Sequence, residues 1–407
     1  MTFAHFALNK KIRAGIGKAG YTEPTPIQVE SIPLIMEGSD LLGLAQTGTG
    51  KTAAFVLPIL HHLMRGRRGP VRTLIIAPTR ELCEQTHKAI ERLGNQTDLS
   101  SMSIYGGVSI DKQIKKLRSR IDIVSACPGR LLDHIRRGTI DVSTVDILVL
   151  DEADQLFDMG FLPDIRRIVT HLPSARQTLL FSATMPSELR TLARDLLHEP
   201  ATVQVGKTAP ATTVSHKFYP VHMEQKTALL KDILEKTDTR SVLVFTRTKS
   251  RAKSLASQLE KVGHRVTSLH GNLTQRKRRE SMNGFRDGRY EIMVATDIAA
   301  RGIDVTRISH VINYDMPATA ASYTHRIGRT GRATNTGDAF NFITGQDAGL
   351  VHSLKKLLGG TLQFQNVDGL TISPSSSAMT ENGDSRKIRP PYGKRRFSKV
   401  KRGFRNR

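Results

Sequence analysis

Eight residues, Ala45-Gln46-Thr47-Gly48-Thr49-Gly50-Lys51-Thr52, constrain this chain more than any other stretch. The run before them, Asp40-Leu41-Leu42-Gly43-Leu44, is short and apolar enough to form a buried parallel strand. After them Ala53, Ala54, Val56, Leu57, Ile59, Leu60 and Leu63 fall on one face of a helix. Strand, glycine-rich turn and helix form the setting in which backbone N–H groups at a helix start hold phosphate, assisted by the helix dipole. In that setting Lys51 reaches the terminal phosphates, and the Thr52 hydroxyl ligates the Mg²⁺ that travels with them. The general pattern is G-x-x-x-x-G-K-[ST], and Ala45 stands where its first glycine belongs. On this stretch alone, a glycine-rich turn of some other α/β protein stays open.

A carboxylate element about a hundred residues later narrows the choice. Ile147-Leu148-Val149-Leu150 is an apolar strand that ends in Asp151-Glu152-Ala153-Asp154. Asp151 therefore stands at the carboxyl end of a core strand, where open α/β sheets bind their ligands. Two phosphate-and-magnesium signals in this order imply a nucleoside triphosphatase that works with Mg²⁺.

At 407 residues, two domains of ordinary size are expected, and 38% hydrophobic residues suffice for a core in each. No apolar run reaches membrane-spanning length. The N-terminal stretch, with Lys10, Lys11, Arg13 and Lys18, lacks the apolar block of a signal peptide. Cys83 and Cys127 are the two cysteines, far apart in sequence. No disulfide framework or metal cluster is expected from them, and a reducing cytosol fits best. Sixty-one basic against 37 acidic residues leave +24. The segment 386–407 holds 11 basic and no acidic side chains, so 24 less 11 leaves +13 on the rest. Such an excess points to a polyanion, nucleic acid being the commonest.

Residues 1 to about 38 read as an amphipathic helix built on Leu8, Ile12, Ile16 and Ala19 and ended by Gly20. A turn around Pro24 and Pro26 follows, and the apolar pattern then resumes. Strands are predicted over 41–44, 73–77, 101–105, 121–125, 147–150, 178–181 and 202–205, alternating with helices. That alternation implies a mostly parallel sheet covered on its faces. The stretch 207–213 lacks apolar periodicity and reads as a linker between a domain over 1–206 and a second over 214–362. Strands of the second are predicted over 214–221, 242–245, 266–269, 292–295, 311–314 and 339–343. No second glycine-rich phosphate loop follows them, so one nucleotide site serves both units. Residues 363–407 are polar and then basic, with Tyr392, Phe397 and Phe404 among the cations. They read as a disordered tail.

With these elements in place, the chain resembles a DEAD-box ATP-dependent RNA helicase of superfamily 2. The likeness extends over residues 3 to about 345. It rests on Asp151-Glu152-Ala153-Asp154 together with Gly20-Tyr21, Pro24-Thr25-Pro26-Ile27-Gln28, Pro78-Thr79-Arg80-Glu81-Leu82, Gly106-Gly107, Pro128-Gly129-Arg130 and Ser182-Ala183-Thr184. The second half adds Val244-Phe245, Gln275 with Arg278, Ala299-Ala300-Arg301-Gly302-Ile303-Asp304 and His325-Arg326-Ile327-Gly328-Arg329-Thr330-Gly331-Arg332. The short core with a basic tail is similar to the bacterial RhlE-type branch. Cys83 stands where that family usually has alanine. Cys127 replaces a threonine, removing a hydroxyl that the family aims at RNA.

The resemblance implies two tandem RecA-like domains and a role for each motif residue. Gln28 reads adenine, as an amide can on the N6 and N7 edge. Tyr21 stacks on the base, and Phe3 closes the pocket or, equally, belongs to the core. Ala45, Gln46, Thr47, Gly48, Thr49, Gly50, Lys51 and Thr52 hold phosphates, while Thr52 and Asp151 hold Mg²⁺. Glu152 orients the attacking water. Arg329 and Arg332, three apart and on one face if helical, neutralise charge on the γ-phosphate from the second domain. Gly302 and Asp304 lie near the ribose. RNA backbone is expected along Pro78, Thr79, Arg80, Gly106, Gly107, Gly129 and Arg130 in one domain, and along Gly271, Gln275, Arg278, Thr296 and Asp297 in the other. Ser182 and Thr184 relay between the two surfaces.

These roles imply RNA-stimulated ATP hydrolysis with local unwinding of short duplexes or remodelling of RNA–protein complexes, by a monomer that reads no sequence. The tail is expected to add phosphate contacts and base stacking. Two readings stay open beside this one: a DNA-directed helicase, and an RNA clamp or annealing chaperone for which hydrolysis is incidental.

Overall fold

The computed structural model describes residues 2–46, 48–66, 68–206, 214–237, 240–300, 308–331, 336–360 and 362–365. The proposed linker at 207–213 and most of the tail lie outside them.

Seven strands make the first sheet: β1 (Leu41–Ala45), β2 (Thr73–Ile76), β3 (Ser101–Ile104), β4 (Ile123–Ala126), β5 (Ile147–Leu150), β6 (Gln177–Ser182) and β7 (Ala201–Val205). Their order is β3-β4-β2-β5-β6-β1-β7, and every pair is parallel. Parallel strands require crossovers, here mostly helical, and the helices cover both faces. That is why β2, β4 and β5 are buried at every position rather than at alternate ones. One core joins the N-terminal helices to one face, through Ile12, Ile27, Phe55, Leu57 and Phe181. A second core on the other face gathers Leu74, Val124, Leu148, Leu156, Ile165 and Leu189. Each such fully buried aliphatic side chain stabilises the fold by about 1.5–3 kcal/mol.

The second sheet repeats the plan with β8 (Val214–Pro220), β9 (Val242–Phe245), β10 (Val266–Leu269), β11 (Ile292–Ala295), β12 (His310–Asn313), β13 (Gly337–Ile343) and β14 (Gln363–Phe364), in the order β10-β11-β9-β12-β13-β8-β14. All thirteen predicted strands are present. The fourteenth was not predicted. Its two residues pair with Lys217 and Phe218 of β8, and the Gln365 N–H donates to the Phe218 carbonyl at 2.8 Å. Ordered structure thus runs past 362, which corrects the boundary set for the tail.

Near the N-terminus, Asn9 caps the helix Lys10–Lys18 through a 2.9 Å bond from the Lys11 N–H. Thr25 precedes Pro26, the first residue of the helix Pro26–Met36. Proline suits that position because its missing N–H would be unpaired there anyway.

Candidate functional site

Because all strands of the first sheet run the same way, the carboxyl ends of β1, β6 and β5 lie side by side on one edge. β1 delivers the glycine-rich turn, β6 ends at Ser182, and β5 leads into Asp151. Gly48 and Gly50 take φ values of 89° and 95°, a left-handed conformation that costs other residues strain. At Gly50 there is also no room, since a Cβ would lie 2.5 Å from Gln28 Nε2 and 2.8 Å from Thr25 Oγ1. The helix Lys51–Leu63 starts directly after Gly50, so its free N–H groups face the turn. Thr49 Oγ1 closes the turn by donating to the Gln46 carbonyl at 2.8 Å. Lys51 is buried and donates to the Ala45 carbonyl at 2.6 Å, which folds its ammonium back over the loop. Thr52 is half-buried at the helix start, and Thr47 lies outside the described residues.

Gln28 sits against this loop, 1% exposed. Its carbonyl accepts from the Thr25 N–H at 3.0 Å, and its amide donates to the Gly50 carbonyl at 3.0 Å. It therefore caps its own helix and ties that helix to the phosphate loop; one N–H and one lone pair remain for a base. Phe3 and Tyr21 do meet, edge to face with centroids 6.2 Å apart. Phe3 is 5% exposed and belongs to the core, whereas Tyr21 is half-buried at the rim.

The four acidic-motif residues differ sharply in surroundings. Asp151 is buried and accepts from the Glu152 N–H at 3.0 Å. Burial and the neighbouring Glu152 charge push its carboxyl up to about 7, against the opposing pull of Lys51. Glu152 has φ 49° and ψ 53°, a conformation that a non-glycine residue holds at a cost of roughly 1–3 kcal/mol and that clusters at functional sites. Gln155 donates to its carboxylate. Asp154 is the hub. Its Oδ2 accepts from Thr184 N–H at 2.8 Å, Thr184 Oγ1 at 3.0 Å and Ala183 N–H at 3.2 Å, while its own N–H donates to Ser182 Oγ at 3.2 Å. Burial works to raise its pKa, but the His325 ring, the Lys51 charge and the Thr184 N–H outweigh burial and hold it well below the usual carboxylate range. Ser182 and Thr184 thus hold Asp154 in place.

His325 belongs to the other domain, and its Nε2 lies 3.3 Å from Asp154 Oδ2. Among the described residues, three further side-chain contacts join the domains. Arg278 donates twice to Glu81 Oε1, at 2.9 and 2.6 Å, with side chains 9% and 14% exposed. Arg80 donates to Gln275 Oε1 at 3.3 Å, and Arg279 donates to the Tyr105 hydroxyl at 3.1 Å. The two halves are closed on one another. Arg329 lines a small cleft with His325, Arg326 and Asp297, and it is 4% exposed. The expected helical pairing of Arg329 with Arg332 needs correction at its start: the helix Ala320–Ile327 ends before Arg329, which follows in a turn closed by its N–H to the Arg326 carbonyl. Arg332, Gly302 and Asp304 lie outside the described residues.

Several residues expected to touch RNA have partners within the protein. Arg278 is buried, and its guanidinium is bonded to Glu81 across the domains. The Asp297 carboxylate takes both prongs of Arg326, at 2.5 and 2.7 Å. Arg130 is spent within its domain, on the Val108 carbonyl at 3.2 Å and Gln113 Oε1 at 3.0 Å. Thr79 caps the helix Arg80–Leu93 by accepting from Leu82 N–H at 3.3 Å. Pro78 and Thr296 are buried. What faces outward is backbone: Gly107, Gly129 and Gly271 are exposed, and Gly106 is half-exposed. Glu81, Tyr105, Arg279 and His325 had been given no role from sequence, although Glu81 and His325 lie inside quoted motifs. Among the described residues no helix is long and apolar enough to cross a membrane.

The same architecture and motif order recur in known proteins. The DEAD/DEAH box helicase domain matches residues 25–192, and the helicase conserved C-terminal domain matches 225–334. The ATP-dependent RNA helicase CshA of Listeria monocytogenes is 42% identical over 355 residues, spanning 87% of this chain and 68% of that protein. S. cerevisiae Dbp5 bound to RNA and ADP BeF3 is similar with a TM-score of 0.80 at 28% identity, over 90% of this chain and 96% of that one. The DEAD-box helicase Mss116 bound to ssRNA and UDP-BeF gives 0.81 at 26% identity, over 94% and 84%. With the phosphate loop, the Asp151–Asp154 motif and the second sheet arranged as described, the chain belongs to the DEAD-box helicase family.

Proposed function

We propose that this protein is an RNA-dependent ATPase that separates short RNA duplexes, or strips RNA–protein complexes, by closing two domains around ATP and one RNA strand. The observation that carries this reading is the contact set joining the halves, above all Asp154, held by Ser182 and Thr184 on one side and facing His325 on the other. The similarity to Dbp5 and Mss116 structures that contain RNA and a nucleotide supports it.

The chemistry follows from the residues at the cleft. Loop amides from Gly48 to Thr52 and the Lys51 ammonium bind phosphate oxygens. The donor set also fits Mg²⁺. Asp151 is a buried carboxylate with a raised pKa beside a second acidic group, an arrangement that a cation relieves, and Thr52 adds a hydroxyl at the helix start. Mg²⁺ held by Thr52 and Asp151 would supply charge neutralisation to the bound phosphates. Glu152, fixed by its backbone twist and by Gln155, orients the attacking water. Arg329 and Arg332 meet the charge that grows on the γ-phosphate, since arginine's planar fork suits phosphate oxygens. Asp304 and Gly302 are assigned to the ribose.

RNA lowers the barrier to closure by binding the closed arrangement better than the open one. The exposed glycines let a sugar-phosphate backbone approach closely and read no bases. Arg80 and Gln275 meet across the domains and so register a strand lying over both. The basic tail adds salt-sensitive affinity, and the reducing cytosol is the setting that fits two free cysteines.

Glu152→Gln tests the reading. Expected are retained ATP binding with turnover and duplex separation both lost; separation that persists without turnover would favour the clamp. Stimulation by single-stranded DNA equal to that by RNA would favour a DNA-directed enzyme.

A further inference from the structure

The two cysteines are 44 positions apart, yet folding brings their Sγ atoms to 3.5 Å. Cys83 lies one turn into the helix Arg80–Leu93 and is 0% exposed. Cys127 is the N-cap residue of the helix Pro128–Arg136 and is half-buried. Around them Ala77, Leu82 and Tyr105 form a separate small apolar cluster, with Val108 packed against it. All three RNA-facing loops of the first domain spring from this cluster: Pro78 follows Ala77, Gly106 follows Tyr105, and Pro128 follows Cys127.

We propose that Cys83 and Cys127 form a reversible disulfide with a hydroperoxide as oxidant, and that this bond weakens RNA binding. The second half of the proposal rests on reading this surface as the RNA face. Cys127, the more accessible sulfur, attacks a peroxide oxygen; an S–O bond forms, the O–O bond breaks, and the thiol proton leaves with the departing hydroxide as water. Cys83 then attacks that sulfur, so that an S–S bond forms, the S–O bond breaks, and the released hydroxide takes the Cys83 proton as a second water. Two thiols lose two electrons and one hydrogen peroxide gains them. A small dithiol reverses the bond by exchange. Burial, with the adjoining Cys127 thiol, pushes the Cys83 thiol well up, which suits a resolving sulfur that reacts only once a sulfenic acid stands beside it. In a reducing compartment disulfides are mostly transient and sensing rather than structural.

The mechanical consequence follows from lengths. A disulfide is about 2.05 Å long, so the sulfurs must close by about 1.5 Å. Cys83 is held in the core, and the shift falls on Cys127 and the helix start that carries Gly129. A hydrogen bond to phosphate does not survive a displacement of about 1 Å. Loss of one charge-assisted contact corresponds to about tenfold weaker RNA binding. The nucleotide loops at β1 and β5 are not part of this cluster, so ATP turnover without RNA stays unchanged.

The test uses the full chain treated with hydrogen peroxide, with thiols counted after denaturation, intact mass measured, and RNA affinity followed by fluorescence anisotropy. Expected are loss of both thiols with a mass lower by two hydrogens, about tenfold weaker RNA binding, and recovery with dithiothreitol. Cys83→Ala under the same treatment is expected to keep its RNA affinity. Two free thiols after treatment, a disulfide with unaltered affinity, or an equal loss in Cys83→Ala would each overturn the proposal. An untreated chain with no RNA affinity would overturn the RNA reading and the second half with it, while the thiol count tests the bond by itself.

Discussion

Replacing Arg278 with alanine removes the guanidinium that grips Glu81 across the domains. Both bonds end on one carboxylate oxygen, at 2.9 and 2.6 Å, and both side chains are nearly buried. A hydrogen bond to a charged group is worth roughly 1.5–3 kcal/mol when water is excluded. Glu81 regains water once the domains part, so the loss falls on the closed form and not on the stability of either domain. Closure should weaken by about 10- to 150-fold, each 1.4 kcal/mol being about a factor of ten. The assay is RNA-stimulated ATP turnover at limiting RNA, with ATP affinity and thermal unfolding measured alongside. Stimulation should drop by that factor while the other two hold. Arg278 also reaches the Ala299 carbonyl at 3.4 Å inside its own domain, and a cycle with Glu81→Ala separates that contact from the latch. The double variant should be no worse than either single one. Additive losses, or stimulation within twofold of the parent, would refute the latch.

Two other outcomes follow from the nucleotide loop. Gly50→Ala combines a positive φ with a Cβ 2.5 Å from Gln28 Nε2, and about tenfold weaker ATP binding is expected by calorimetry from roughly 1–2 kcal/mol of backbone strain; parental affinity would mean the loop shifts freely. Asp151 titrates near 7 when folded against 3.8 ordinarily. The nucleotide-free fold therefore binds the extra proton and loses stability as pH rises from about 4 to about 7. Mg²⁺ with ATP should expel about half a proton at pH 7 and bind more tightly at pH 8 than at pH 6, read from heats in two buffers of different ionisation enthalpy; zero proton release would refute the role of Asp151.

Much of the fold was legible because the chain writes its strands as short, nearly unbroken apolar runs such as Ile147–Leu150 and Val242–Phe245, the signature of parallel sheets buried on both faces. β14 escaped because two residues, Gln363 and Phe364, make no pattern; its place is set by the free edge of β8. The nucleotide side was equally legible, since glycine, lysine and aspartate sit at fixed offsets from strand ends. The cross-domain contacts were not. Arg278 and Glu81 are 197 positions apart, and nothing local marks an arginine as a latch rather than a phosphate contact. The approach of Cys83 to Cys127, 44 positions apart, is hidden for the same reason. Gln28 shows the converse: its spacing from Thr25 already matched a capping box, and the structure uses it so.

The central claim is that nucleotide and RNA share one closed arrangement of the two domains. Single-molecule energy transfer between dyes at the exposed Ser119 and Gln258, in a Cys83→Ala, Cys127→Thr background, tests it most directly. A high-transfer state should dominate only when a non-hydrolysable ATP analogue and RNA are both present, and Arg278→Ala should deplete it. A high-transfer population that is the same with either ligand alone, or unmoved by both, would contradict the coupling.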